Sequence, residues 1–311
     1  MKTKFNRFLS ASLALSVAAV VSVSSAADTP DLTHPGRSSV YSNLSAGSLE
    51  ATSTPAAILS IVQAPSSAAP TAIWTMLEHG ERVECLDCIP YVAKMLYDDN
   101  AKTREISAWW LRRRIFGVFG AGQVYSQVIS AVTDQNQSEA TRARAANALG
   151  EFLEGAGIAP VATALTTDAS AVVRLAAANA LIRLNNQGPN GELATALGDT
   201  DESVRLAALD GATHINVFTS VDKVAGLISD PSAAVRRRAA ETLGTMKVAD
   251  AVVGLIAVTS PSNEADAGVR AAAVWALGQI SDPQARDAVL AAVNDTDPGV
   301  RAAANIAIFR L

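Results

Sequence analysis

Side chains able to hold a metal are scarce in this sequence. Among 311 residues there are two cysteines, Cys85 and Cys88, and three histidines, His34, His79 and His214. A tetrahedral zinc centre takes four ligands of these kinds. Haem attachment takes Cys-x-x-Cys-His, and Ile89 stands where the histidine would be. No metal and no cofactor are therefore expected. Residues 1–84 contain no cysteine, which argues against a lipid-anchored lipoprotein. Past the first 27 residues no stretch is long and uncharged enough to span a bilayer, so membrane insertion is not expected. No Ser/His/Asp or Cys/His constellation and no convincing phosphate cradle is present; Gly120-x-Gly122 alone is too weak a signal.

The first 27 residues have the layout of a secretory signal. Lys2, Lys4 and Arg7 precede an apolar run from Leu9 to Val23. Ser24-Ser25-Ala26 or Ser25-Ala26-Ala27 then offers a small-residue cleavage site. A retained anchor is the weaker reading, because the run is short and dotted with serine. The expected location is periplasmic or secreted. Cleavage removes three basic residues and leaves 22 against 30 acidic ones, a net charge of −8. That balance argues against nucleic acid as a partner. Residues 28–69 are rich in Ser, Ala, Thr and Pro and read as a flexible tether, with a short helix near Pro55 to Val62.

In an oxidising compartment Cys85 and Cys88 are expected to close as a disulfide just before the helix that Pro90 opens. So short a loop stabilises by only about 2 kcal/mol in the chain-entropy model. The alternative is redox activity, since a helix N-terminus lowers a nearby thiol's pKa. No alternating strand pattern of a thioredoxin-like fold surrounds the pair.

The rest of the chain is organised by a repeat. Asp168-Ala-Ser-Ala-Val-Val-Arg174 recurs as Asp199 to Arg205, Asp230 to Arg236 and Asp295 to Arg301, with looser copies ending at Arg104, Arg142 and Arg270. Spacings of 38, 32, 31, 31, 34 and 31 residues are the signature of a solenoid. Each arginine opens an alanine-rich helix. Three positions after it stand Ser107, Ala145, Ala177, Ala208, Ala239, Ala273 and Ala304; seven after it stand Leu111, Leu149, Leu181, Ala212, Leu243, Leu277 and Ile308. Such columns form one buried stripe. The segment before each arginine helix, for example Ile158 to Leu165, supplies a partner helix. Neighbouring pairs must stack to bury their faces.

The Asp-x5-Arg spacing, the Val before Arg, and Ala148-Leu149-Gly150 and Ala276-Leu277-Gly278 resemble the HEAT-like repeat, in the version also found in phycobilin lyases. The expected fold is all-α, an α-solenoid of about seven HEAT-like helix pairs. Residues 70–311 form it, with 70–87 as an N-terminal cap and 88–311 as repeats. The resemblance implies that Asp168, Arg174, Asp199, Arg205, Asp230, Arg236, Asp295 and Arg301 form an internal ladder between repeats; the alternative is a row of anion-binding arginines. It also implies that the arginine helices line the concave face.

The column five residues after each arginine reads Trp109, Asn147, Asn179, Asp210, Glu241, Trp275 and Ile306. It lies off the buried stripe, so it is expected to run along a groove with a tryptophan towards each end. Together with Arg113 it is the candidate partner-binding surface. The first repeat breaks two other columns: Trp110 stands where small residues recur, and Arg114 where apolar ones do. It reads either as an end-cap or as a recognition patch, since Trp and Arg dominate binding hot spots.

The leading function is an exported, non-enzymatic scaffold that binds a protein or peptide along this groove. The alternative is a thiol-redox or other enzyme on a HEAT-like scaffold using Cys85 and Cys88. The resemblance implies chromophore attachment for lyases and His-Glu pairs for di-iron hydroxylases. Export argues against the first, and no histidine here is followed by Glu. Self-association through the C-terminal repeat, where Phe309 and Leu311 lack a polar cap, is a further expectation.

Overall fold

The computed structural model describes residues 54–65, 68–115, 122–184, 190–214 and 218–311. The export segment, the tether up to residue 53, Gly117, Gly120 and Ile215 lie outside them. Sixteen α-helices and no strand occur among the described residues. The chain divides into two compact units, one up to Val92 and one from Ala93 onward.

The described part of the first unit contains α1 (Pro55–Gln63) and α2 (Pro70–His79), each opened by a proline whose missing N–H costs nothing there. Thr54 caps α1 by accepting from the Ala57 N–H. Ile58, Val62, Ile73 and Leu77 are buried. The stretch read as tether thus ends in an ordered helix. Cys85 and Cys88 are joined as a disulfide. They flank the 3₁₀ turn Leu86–Cys88, which leads into α3 (Ile89–Met95).

Helix pairs follow in order. They are α3 with α4 (Ala101–Ile115), α5 (Gly122–Thr133) with α6 (Glu139–Phe152), and α7 (Ile158–Thr167) with α8 (Ala171–Leu184). Next come α9 (Asn190–Ala196) with α10 (Glu202–His214), and α11 (Val221–Gly226) with α12 (Ala233–Met246). The last are α13 (Val252–Ala257) with α14 (Ala267–Ile280), and α15 (Arg286–Ala292) with α16 (Pro298–Ala307). Seven pairs make the α-solenoid. Consecutive arginine helices pack directly on one another from α4 to α16.

The local code is compact. Two residues before the cap of every arginine helix but α6 stands a carboxylate that accepts the N–H of the capping residue, as Asp199 does from Asp201 and Asp295 from Asp297. The cap then accepts an N–H of the first turn: Asp266 from Val269, Asp297 from Val300, Ser138 from Thr141. Three of these helices end on a left-handed residue eleven positions after the arginine, Leu153, Lys247 and Ser281, the usual geometry for a helix stop.

Packing between repeats follows size. The residue eight positions after one arginine faces the residue six positions after the next. A Cβ on Gly150 would lie 2.8 Å from Ala180 Cα, and one on Gly278 would lie 2.7 Å from Ala307 Cβ. Where the first position is Ile182, the second is Gly211, whose added Cβ would meet Ile182 Cγ1 at 3.1 Å. The column of Ser107, Ala145, Ala177, Ala208, Ala239, Ala273 and Ala304 is fully buried.

Five of the arginines pair forwards, each with the carboxylate of the following repeat rather than its own. Arg142 Nε donates to Asp168 at 2.7 Å, Arg174 to Asp199 at 2.7 Å and Arg270 to Asp295 at 2.9 Å. Arg205 pairs with Asp230 at 2.8 Å. The repeat's own turn supplies carbonyls: Arg205 Nη1 donates to Asp199 O and Thr200 O. In the sixth repeat the acid is Glu264, taken by Arg236 at 2.7 Å. Asp266, two residues further on, is the N-cap. These five carboxylates are at most 9% exposed, so those arginines have no free edge for an external anion.

Electrostatics agrees with the geometry. The hydrogen bond from Arg270 holds Asp295 below the usual carboxylate range, and that from Arg236 does the same for Glu264. At Asp168 and Asp199 burial pushes the other way, and hydrogen bonds from Arg142 and Arg174 overcome it.

Candidate functional site

One face of the arginine helices carries two cavities. The larger, about 740 Å³, spans α12, α14 and α16. Its walls are Arg237, Arg238, Glu241 and Trp275, and its floor includes Ala271 and Ala303. The smaller, about 210 Å³, lies between α4, α6 and α8, and Arg104, Arg144, Asn147 and Glu151 are among its walls. Residues one, two, five and nine positions after the arginines recur in both linings. Of the column singled out from sequence, Glu241 and Trp275 line the larger cavity and Asn147 the smaller.

The members of that column differ in what they offer. Asn147 and Asn179 are exposed, and Ile306 is 58% exposed. Trp109, Asp210, Glu241 and Trp275 are half-buried, and Arg113 is exposed. Asp210 and Glu241 are engaged rather than free: Arg238 Nε donates to Asp210 at 2.6 Å, and Arg237 Nε donates to Glu241 at 3.0 Å. Burial weakens the Arg238 charge, but the Asp210 and Glu241 carboxylates outweigh it and hold its pKa above the ordinary value. Further along, Arg183 pairs with Glu151 across repeats. Ion pairs thus run along this face, and Arg237, Arg238 and Glu241 at the larger cavity and Arg144, Glu151 and Arg183 at the smaller one all take part in them.

Trp275 has a built seat. A Cβ on Gly244 would come within 2.8 Å of its ring, so the indole rests against the glycine of the preceding arginine helix. The tryptophan forms a wall that is apolar and partly open, above a floor of small side chains. Such a surface can take an apolar or aromatic group of a partner, with guanidinium edges beside it. No described helix is long and apolar enough to cross a membrane. Among the described residues no three His, Cys, Asp or Glu side chains converge as a metal site requires.

The first repeat's two outliers do not form a patch. Trp110 is fully buried and Arg114 is 2% exposed. The Arg114 guanidinium carbon lies 3.4 Å from the Trp110 ring centre, and its Nη1 donates to Trp110 O at 2.6 Å. Sequence reasoning passed over Arg237, Arg238 and Arg144. A signal was present: two positions after each arginine the column reads Ile106, Arg144, Ala176, Ala207, Arg238, Ala272 and Ala303. The two charged entrants of this apolar and small column each line a cavity.

Comparison with known proteins bears on the C-terminal repeats and on the fold. Residues 190–263 and 254–308 match the family of HEAT repeats. Among solved structures, YibA of Escherichia coli is similar at 16% identity, with 81% of this chain and 92% of that one covered and a TM-score of 0.54. Kap121p bound to Nup53p is similar at 14% identity and a TM-score of 0.53; the match covers 82% of this chain but only 34% of Kap121p. The complex of CpcE and CpcF of phycocyanin lyase from Nostoc sp. PCC7120 matches at 20% identity, covering 71% of this chain and 86% of that one, with a TM-score of 0.40. The sequence matches no curated protein.

Proposed function

We propose that this chain, a HEAT-like repeat protein, is an exported, non-enzymatic scaffold that binds a protein or peptide along the face of its arginine helices. The observation that carries the reading is the 740 Å³ cavity walled by Trp275 across three successive repeats. Architecture of this kind supplies long binding surfaces rather than chemistry, and Kap121p of similar fold was solved bound to a protein, Nup53p. Thiol-redox activity is not favoured: Cys85 and Cys88 are joined and are 5% and 0% exposed, which leaves little sulfur surface for an attacking thiolate. Export rests on the layout of residues 1–27, and a secreted product beginning at Ala27 or Asp28 is the expected result of N-terminal sequencing. Ile306 on α16 and Phe309 in the 3₁₀ turn after it, 58% and 90% exposed, form the candidate surface for self-association, which sedimentation at high concentration tests.

The test of the groove is affinity capture from the native cell envelope with the wild-type chain, Trp275→Ala and Trp109→Ala/Trp275→Ala. A partner held by the wild type and released by Trp275→Ala is expected. Partners retained by the double variant would refute the groove.

A further inference from the structure

The ladder has one rung inside the stack that no carboxylate fills. Arg104 is seated as the other ladder arginines are. Its Nη1 donates to Asp98 O at 2.7 Å and Asp99 O at 2.8 Å, just as Arg270 Nη1 donates to Glu264 O and Ala265 O at 3.0 Å. In the five filled rungs that seating leaves the Nε and Nη2 edge to a carboxylate of the next turn. The residue at the corresponding position of the next repeat, six before Arg142, is Asn136, a neutral amide, and it is exposed where the ladder acids are at most 9% exposed. Its N–H and its Nδ2 both donate to Asp134 Oδ1, at 3.0 and 2.9 Å, so the side chain is turned onto its own loop. Arg104 has no carboxylate partner among the described residues.

A second observation shows open space there. Arg104 lines the 210 Å³ cavity on the arginine-helix face, beside Arg144. Arg144 donates to Tyr97 O and, at 2.7 Å, to Asp99 Oδ1, so both guanidiniums gather on the turn at residues 97–99. The cavity's volume equals that of about seven waters at roughly 30 Å³ each, room for an acidic side chain but not for a folded element. We infer that Arg104 receives the carboxylate of an Asp or Glu side chain from a bound polypeptide, completing the missing rung in trans. Planar guanidinium and carboxylate groups match as a two-bond fork, and this molecule builds that fork four times with its own acids, at Arg142, Arg174, Arg236 and Arg270. The inference rests on the reading of this face as a polypeptide-binding surface.

The experiment uses the full chain labelled with ¹⁵N and follows its arginine Nε–H signals, with Arg104 assigned through Arg104→Lys. The probes are the blocked peptide acetyl-Ala-Glu-Ala-amide, its Gln counterpart, acetate and inorganic phosphate. The Glu peptide is expected to shift Arg104 saturably while the signals of Arg142, Arg174 and Arg270 stay in place. Asn136→Asp supplies the acid in cis; it is expected to weaken the peptide response about tenfold or more, the loss of one charge-assisted hydrogen bond, and to raise the thermal midpoint. A Gln peptide as effective as the Glu peptide would overturn the inference, and so would an Arg104 response no larger than that of exposed Arg113. Acetate or phosphate moving Arg104 as strongly as the Glu peptide would leave a free-anion site and overturn the polypeptide assignment. Failure here leaves the Trp275 groove standing, because capture by Trp275→Ala is read separately.

Discussion

Replacing Arg270 by Met puts the ladder to a quantitative test. Arg270 and Asp295 are 5% and 1% exposed at their side chains. Two bonds of 2.9 Å join them, and Asp295 keeps the Asp297 N–H at 2.8 Å when the arginine is gone. The carbonyls of Glu264 and Ala265 lose their shared donor as well. Methionine fills the aliphatic space but strands a buried carboxylate. Breaking a buried pair in this way costs about 3–5 kcal/mol, which for a unit of this size lowers the thermal midpoint by roughly 6–20 °C.

The pH dependence separates a stranded charge from lost packing. In the wild type the Arg270 hydrogen bond depresses the Asp295 pKa. A depressed folded pKa contributes stability that is fully present above the unfolded value, about 3.9, and is lost as pH falls through the lower folded value. In Arg270→Met the guanidinium no longer opposes burial, which pushes the carboxyl up, so the variant regains stability as acid neutralises it. The gap between the two proteins is therefore widest near pH 7 and narrows as pH falls through about 5 and 4. Thermal unfolding followed by far-UV circular dichroism at pH 7, 5 and 4 reads it. A loss below about 1 kcal/mol at pH 7, or a gap that does not change with pH, would refute the reasoning. Adding Asp295→Leu to the methionine variant removes the stranded charge and is expected to restore much of the loss.

Two further outcomes follow from the backbone. Gly278→Ala forces a Cβ to within 2.7 Å of Ala307 Cβ and 2.9 Å of its Cα, so urea unfolding should show a loss of about 1–3 kcal/mol; Gly191→Ala, with nothing within 4 Å, should shift stability by less than about 0.5 kcal/mol. Ser281 holds φ at 61°, a conformation glycine adopts freely, so Ser281→Gly should raise the melting midpoint through a gain of up to about 1 kcal/mol.

The repeat was legible because its residues do the same physical job each time. An alanine that must let a neighbouring helix approach stays small, and an arginine that must reach the next turn stays an arginine. Register was harder. The ladder acid of the sixth repeat is Glu264, six residues before Arg270 like the others, but Asp266 next to it carries the more familiar letter and serves the cap. The spacing would have chosen correctly; the residue type did not. The two outliers of the first repeat also explain each other. Trp110 and Arg114 stand four residues apart on one helix, and the guanidinium lies on the indole, which lets both be buried.

The site was legible only in part because it belongs to no single repeat. Trp275 is five residues after its own arginine, but its seat is Gly244, eight after the previous one, and its neighbours Arg237 and Arg238 open the preceding helix. Reading down one column finds the tryptophan and misses the arginines; reading across columns finds the contact. The same crossing explains why polar residues in the column do not all bind: Asp210 is consumed by Arg238 of the following repeat. In a solenoid, a side chain becomes available to a partner where the neighbouring repeat fails to use it. Asn136 in place of an acid is such a failure, and it leaves Arg104 as a cation beside the smaller cavity with its ladder position unfilled.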